Sequence, residues 1–240
     1  LFAAYSDRCT FRMICENFKL GANHTRPVRH KLQAHAISGF ANVFQPHAVI
    51  ANGQYEAAVR HNLPVGIHFG GQGGHPITGT GWPSYYIEDH TGMSQSFQGQ
   101  LTSLIFEGVF EQFPTLRICL IEGGFAWLPT LMWRMDAAYK RLHEEVPHLT
   151  KLPSEYIRDH IWLSTQPMEE PFKPHQFNQL LRHGNLADRL IFATDYPHWD
   201  FDAPDQALPK IKLPEEFEQK LFFQNALDFY GDRLLPRVRS

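Results

Sequence analysis

Short apolar runs, each ending in a polar residue, recur along the chain from about residue 39 onward. The runs are Phe40–Gln45, Val65–His68, Leu116–Glu122, His160–Thr165 and Leu190–Asp195. Their apolar residues are continuous rather than alternating with polar ones, which is typical of strands buried on both faces of a sheet. We therefore predict five strands of a parallel sheet.

Amphipathic segments lie between these runs and carry apolar residues at helical spacing. The predicted helices are Gln54–Asn62, Ser96–Phe113, Leu128–Val146, Pro174–Asp188 and Pro214–Tyr230. Proline directly follows the second and third of them, and a helix does not readily continue through proline. Strands that alternate with helices predict βαβ units, whose right-handed crossovers place the helices outside the strands.

The number of predicted strand–helix units is five, whereas a complete (β/α)8 barrel has eight units of roughly 30 residues each. Residues 1–38 are too few for three more units, and histidines and arginines interrupt any regular period there. We expect an α/β fold of the (β/α)8 TIM-barrel type, incomplete at its N-terminal side, as one domain over residues 1–240. Residues 1–38 are interpreted as a remnant of the barrel start. Open strand edges in such a barrel predict an unstable or homo-oligomeric chain.

The composition narrows the range of partners and compartments. The net charge is −3 and 20% of the residues are charged, which gives no reason to expect nucleic acid or an anionic membrane as a partner and leaves a small-molecule substrate. The three cysteines form no CxxC motif and are odd in number, so a reducing compartment, the cytoplasm, is predicted. No apolar run approaches the roughly 20 residues that a membrane helix needs.

Three of the predicted strands end in an ionisable residue: His68, Glu122 and Asp195. The carboxyl ends of barrel strands carry the active site, so these side chains are expected at one mouth. An imidazole and carboxylates together suit one divalent metal ion, zinc in the first instance, whose bound water becomes a nucleophile at neutral pH. Taken singly, His68 could instead hydrogen-bond a loop, Glu122 could pair with an arginine, and Asp195 could accept backbone N–H groups.

The segment of residues 73–92 is long for a loop and rich in glycine, aromatic residues and histidine. Long loops at the carboxyl ends of barrel strands usually shape substrate pockets. Trp82, Tyr85 and, after the last strand, His198 are therefore candidate substrate-binding residues. The alternative is that the aromatic side chains pack the loop onto the barrel.

Four longer sequence segments support the interpretation as a barrel with a metal site. They are LPVGIHFGG (63–71), GTGWPSYYIEDHTGMSQSFQGQLTSLIFEGVFEQFPTLRICLIEGGFAWLP (79–129), SEYIRDH (154–160) and LIFATDYPHWDFD (190–202). Over residues 63–231 the chain resembles the amidohydrolase superfamily, in particular the amidohydrolase-related group that includes aminocarboxymuconate-semialdehyde decarboxylase. The resemblance implies a barrel enzyme with a metal ion, in which His68 is a metal ligand and Asp195 contacts both the metal and the nucleophile.

The chain departs from the pattern of that group in three respects. The group carries a His-x-His pair at the end of the first strand, and no His-x-His occurs in this sequence, which leaves His68 and Asp195 as expected ligands with Glu122 as a further candidate. The decarboxylases usually have His where this chain has Glu122, and a carboxylate there would repel a carboxylate substrate. The lysine that two-metal relatives use on the fourth strand has no counterpart in Phe40–Gln45, which favours a single metal ion.

These features favour a metal-dependent hydrolase that acts on a small amide, ester, lactone or C–C bond next to a carbonyl. Metal-bound water would attack the carbonyl, Asp195 would carry the proton to the leaving group, and Glu122 would serve as a ligand or auxiliary base. One alternative is a metal-dependent non-oxidative decarboxylase, or carboxy-lyase, of a small unsaturated or aromatic acid. A catalytically inactive truncated barrel is the other, and the missing His-x-His pair supports it.

Overall fold

The computed structural model describes residues 52–68, 80–201, 203 and 213–231. The elements in these residues follow in the order α1 (Asn52–Arg60), β1 (Val65–His68), α2 (Tyr86–Phe106), α3 (Val109–Gln112), β2 (Ile118–Ile121), α4 (Leu128–Leu142), α5 (Pro153–His160), β3 (Ile161–Ser164), α6 (Pro174–Gly184), β4 (Leu190–Ile191), α7 (Glu215–Gln219) and α8 (Asn225–Tyr230). Short 3-10 turns follow α4 and α6, and a π-helical turn joins α7 to α8. The predicted strand Phe40–Gln45 and the predicted remnant of residues 1–38 lie outside the described residues.

The four described strands form one parallel sheet in the order β1-β2-β3-β4. Val65 pairs with Ile118, and Cys119 pairs with Trp162, so the strands start nearly level with one another. Each strand falls within a run predicted from the sequence, and helices separate them as expected. Because the strands are parallel and in chain order, their carboxyl ends lie along one edge, where the residues that follow β1, β2 and β4 come together.

The two faces of the sheet pack against different parts of the chain. One face contributes to the main hydrophobic core with helices α2 and α4, whose fully buried side chains include Leu101, Leu104 and Leu128. The other face carries Trp162, whose ring lies 5.4 Å from that of Phe229 on α8. Burial on both faces explains why the strands read as continuous apolar runs.

Helix α2 begins at Tyr86, ten residues before the predicted start at Ser96. The prediction treated residues up to 92 as loop, and this part of it was wrong. The first turn holds Glu88, which accepts a hydrogen bond from the backbone N–H of Ser84 at 2.9 Å, and an acidic side chain in the first turn also favours the positive end of the helix dipole. The helix ends before Gly108, whose φ of 72° is left-handed.

Helix α5 was missing from the predicted elements. Its sequence carried two start signals, Pro153 at the first helical position and Glu155 two residues later. The Glu155 side chain accepts a hydrogen bond from the backbone N–H of Leu152 at 2.8 Å, as in a capping box. None of the described helices is both long and apolar enough to cross a membrane.

Candidate active site

The ends of β1 and β2 bring His68 and Glu122 into contact. His68 is the last residue of β1 and Glu122 directly follows β2, and the imidazole Nε2 lies against the carboxylate Oε2. The Glu122 side chain is buried whereas that of His68 is half exposed. The carboxylate therefore faces the imidazole from within the protein.

The backbone is left-handed at both candidate carboxylates, with φ of 66° at Glu122 and 56° at Asp195. This conformation costs a residue with a Cβ roughly 1–3 kcal/mol, and such residues cluster at active sites and ligand-binding turns. At Glu122 it is held by the backbone N–H, which lies 2.9 Å from the Ser164 hydroxyl at the end of β3. The backbone thus turns sharply at both residues, at Glu122 directly after β2 and at Asp195 four residues after β4.

Asp195 lies a few residues beyond β4, beside Glu122. Its Oδ2 atom is buried and makes no hydrogen bond with the described residues, although His198 Nδ1 lies 3.4 Å away. Burial, followed by the charge of Glu122, raises the pKa of the Asp195 carboxyl. A buried carboxylate oxygen of this kind calls for a positive partner, either a proton or a metal ion.

One donor atom each of Glu122, Asp195 and His198 lies within 4.8 Å of the other two. Two carboxylate oxygens and one imidazole nitrogen form a donor set suited to a divalent ion such as manganese or zinc. His68 lies against Glu122 and could add a second imidazole. The residues present therefore fit a divalent metal ion.

His198 is linked through Asp200 to His90 on α2. His198 Nδ1 lies 2.5 Å from Asp200 Oδ1, and His90 Nε2 lies 2.9 Å from Asp200 Oδ2. The hydrogen bond to Asp200 raises the pKa of His198. Burial opposes ionisation of Asp200, but the hydrogen bond from His198, a backbone hydrogen bond and the charges of His90 and His198 outweigh it and lower the pKa of that carboxyl.

The loop after β3 supports the neighbouring strand end without contributing an ionisable ligand. Glu169 accepts backbone hydrogen bonds from Phe125, at 2.7 Å, and from Ala126, just before α4. Burial raises the pKa of Glu169, and these two hydrogen bonds oppose the rise. The carboxylate also packs against Gly124, where a Cβ would lie 2.6 Å from it, so the turn after Glu122 is closely fitted.

The sequence-predicted site residues are placed in two groups. His68, Glu122, Asp195 and His198 lie at the carboxyl edge of the sheet, His198 as a candidate ligand rather than only a substrate contact. Trp82 and Tyr85 are 67% and 73% exposed near the start of α2. Their assignment to substrate binding stays a prediction.

Two supporting residues were not identified by sequence reasoning. Neither Asp200 nor Glu169 directly follows a predicted strand, so neither was among the candidate site residues. The spacing of His198 and Asp200 on either side of Trp199 could have indicated Asp200 as a supporting residue. No feature of the sequence indicated Glu169.

The chain matches the model of the amidohydrolase family over residues 21–231. It is 26% identical over 152 residues to the 2-amino-3-carboxymuconate-6-semialdehyde decarboxylase of Dictyostelium discoideum, a match covering 62% of this chain and 40% of that protein. It is 27% identical over 130 residues to the gamma-resorcylate decarboxylase of Polaromonas sp., covering 53% of this chain and 38% of that protein. The chain thus matches about two fifths of the length of these curated relatives.

A solved structure similar to this one is the dihydroxybenzoic acid decarboxylase of Polaromonas sp. JS666, with bound manganese and the inhibitor 2-nitroresorcinol. The TM-score is 0.56 at 18% sequence identity, and the match covers 81% of this chain and 57% of that one. At this level of identity the likeness concerns the fold, and it supports the expected TIM-barrel type of α/β architecture.

Proposed function

The chain belongs to the amidohydrolase family, and we propose that it is a divalent-metal-dependent carboxy-lyase that decarboxylates a small aromatic or unsaturated acid. Both curated relatives described above are named as decarboxylases, which favours this reaction over the hydrolysis that the sequence first suggested. The observation that carries the proposal is the buried, unbonded Oδ2 of Asp195 beside Glu122 and His198.

Glu122, Asp195 and His198 would hold the metal ion, with His68 next to Glu122 as a further ligand. When bound, a manganese- or zinc-class ion supplies positive charge that attracts and orients an anionic substrate. It also offsets the negative charge of Glu122, which would otherwise repel a substrate carboxylate.

The chain's own residues would supply the proton that decarboxylation requires. Decarboxylation breaks the bond between the carboxylate and the adjacent carbon, releases CO2, and leaves an electron pair on that carbon that must take a proton. Asp195 is the candidate to carry this proton, because its carboxyl lies in the site beside Glu122 and His198. After transfer Asp195 is ionised, and it recovers its proton from water through the exposed side of the site.

The test is product analysis with the metal-loaded chain and a panel of hydroxybenzoic and unsaturated dicarboxylic acids. We expect CO2 and the decarboxylated acid in equal amounts, and loss of turnover in Asp195→Asn. Asp159→Asn is a matched control, because Asp159 pairs with Lys151 on the surface at the amino-terminal side of β3. No CO2 from any acid, with intact metal binding, would contradict decarboxylation.

Hydrolysis of a small ester, lactone or amide is the second candidate. The observation that favours it is Glu122, a buried carboxylate at a position where substrate carboxylates would be repelled. Turnover of neutral esters or lactones without CO2 release would support it. If the purified chain binds no metal ion and turns over neither class of compound, it is the inactive barrel that the missing His-x-His pair suggests.

A further inference from the structure

The Asp200 carboxylate lies between two imidazole rings that come from distant parts of the chain. Oδ1 is 2.5 Å from His198 Nδ1, and Oδ2 is 2.9 Å from His90 Nε2. An ionised carboxylate only accepts hydrogen bonds, so an N–H must face it from each ring. For a neutral His198 ring, this places the proton on Nδ1.

A neutral imidazole has one N–H and one nitrogen with a free lone pair. With the proton of His198 on Nδ1, the free lone pair is on Nε2. Asp195 Oδ2 also approaches Nδ1, but at 3.4 Å it competes poorly with Asp200 Oδ1 at 2.5 Å. His198 can therefore bind a metal ion or accept a proton through Nε2 without losing its hydrogen bond to Asp200.

The position of Asp200 is itself held from two other elements. The side-chain amide of Gln166, after β3, donates to the Asp200 backbone carbonyl at 3.3 Å. Trp199 donates from its indole N–H to the hydroxyl of Tyr86 at 3.2 Å, one turn before His90 on the same face of α2. The first two turns of α2 are thus docked onto the loop that carries His198.

Asp200 and His90 are less exposed to solvent than His198, the residue that they hold. The side chains of Asp200 and His90 are 11% and 18% exposed, whereas that of His198 is 43% exposed. Hydrogen bonds to a charged carboxylate are stronger when they are withheld from water. The arrangement therefore has a sheltered inner part and an outer imidazole that faces the site.

We propose that Asp200 and His90 are positioning residues of the site. Asp200 holds His198 with Nδ1 protonated and Nε2 free, and His90 on α2 holds Asp200. The N-terminal part of α2 then belongs to the site, although it follows no strand end. This inference rests on the proposed function in that it takes His198 to be a residue that uses its Nε2 lone pair.

The first test reads the His198 ring in the metal-free protein. Histidines are labelled with 15N, the metal is removed with a chelator, and two-bond 1H–15N spectra are recorded at alkaline pH, with the His198 signals identified by their loss in His198→Gln. We expect Nδ1 protonated and Nε2 bare in the wild type, and a mixture of both tautomers in Asp200→Asn. Asp159→Asn, the same change in an exposed ion pair, should leave the spectrum unchanged. A proton on Nε2 in the wild type, or an unchanged spectrum in Asp200→Asn, would overturn the proposal.

The second test is Mn2+ binding followed by electron paramagnetic resonance. Loss of a residue that orients a metal ligand typically weakens metal affinity 10–100-fold, and we expect a loss of about this size in Asp200→Asn. His90→Leu should weaken binding in the same direction, and His90→Gln, which keeps an N–H donor, should restore part of it. Equal affinity in the wild type, Asp200→Asn and His90→Leu would also refute the positioning role.

The two tests separate this inference from the proposed function. If the wild type binds no Mn2+, the proposed metal centre fails, while the metal-free spectra still decide whether Asp200 sets the tautomer. If Asp200→Asn does not fold, as judged by circular dichroism, the pair His90→Leu and His90→Gln decides the question. A His198 tautomer that is the same in both would then contradict the role of His90.

Discussion

Gly123, the residue after Glu122, has no room for a side chain. A Cβ at this position would lie 1.9 Å from Cδ2 and 2.1 Å from Cε2 of the Phe97 ring, which is almost completely buried on α2. Because carbon atoms in contact are normally about 3.5–4.0 Å apart, the ring would have to move by roughly 1.5–2 Å. Overpacking of this kind costs about 1–3 kcal/mol, so we expect Gly123→Ala to lower the melting temperature by roughly 2–12 °C.

The assay is thermal and urea denaturation of Gly123→Ala beside a matched Gly→Ala control. Gly99 lies on α2 two residues after Phe97, and a Cβ there would meet nothing within 4 Å. Gly99→Ala should therefore gain up to about 1 kcal/mol from better helix propensity. The steric argument fails if Gly123→Ala is as stable as the wild type, or if adding Phe97→Leu, which shortens the clashing side chain, recovers none of the loss.

Two further perturbations test the buried polar groups. Asn225 is buried, and its side-chain amide donates hydrogen bonds to two backbone carbonyls at 2.8 Å each. Asn225→Leu should therefore lower the free energy of unfolding by about 1–3 kcal/mol for each carbonyl left unpaired. Gln224→Leu, at the exposed neighbouring position, should change it little, and equal melting temperatures of the two variants would contradict this prediction. Asp195 and Glu169 have raised pKa values, so the folded chain binds more protons than the unfolded chain above an ordinary carboxyl pKa of about 4. Their contribution to stability is therefore greatest at low pH and is lost as the pH rises through the folded pKa. Urea midpoints of the metal-free protein against pH should show this decline, and Asp195→Asn with Glu169→Gln should flatten it; an unchanged slope would refute the assignment.

The sequence predicted the parallel sheet well because its signal is local. Strands buried on both faces need continuous apolar runs, and the runs at Val65–His68 and His160–Thr165 contain β1 and β3. The start of α2 was misplaced because glycine and aromatic residues between 79 and 92 suggested a loop, whereas the helix there is stabilised by Glu88 at its first turn. Helix α5 was missed because eight residues are too few to show a clear period.

The candidate site was predictable where it depends on strand ends. His68 and Glu122 were expected to meet because parallel neighbouring strands bring their carboxyl ends together, and the structure places them in contact. The link from His198 through Asp200 to His90 was not predictable from strand ends. It joins residues 110 positions apart in the chain through a helix whose docking depends on the contact between Trp199 and Tyr86.

β3 does not end in an ionisable residue, and its role in supporting the site could not be predicted from the sequence. β3 supplies the Ser164 hydroxyl to the backbone of Glu122, and the loop after it supplies Gln166 to the backbone of Asp200 and Glu169 to the turn before α4. The chemistry of β2 and β4 is thus held in place from the strand between them, through hydrogen bonds to backbone groups. A search for metal ligands along the sequence passes over these residues because their partners are peptide groups, which every position carries. Substitutions of Gln166 or Glu169 should therefore change the orientation of the site residues without removing any candidate metal ligand.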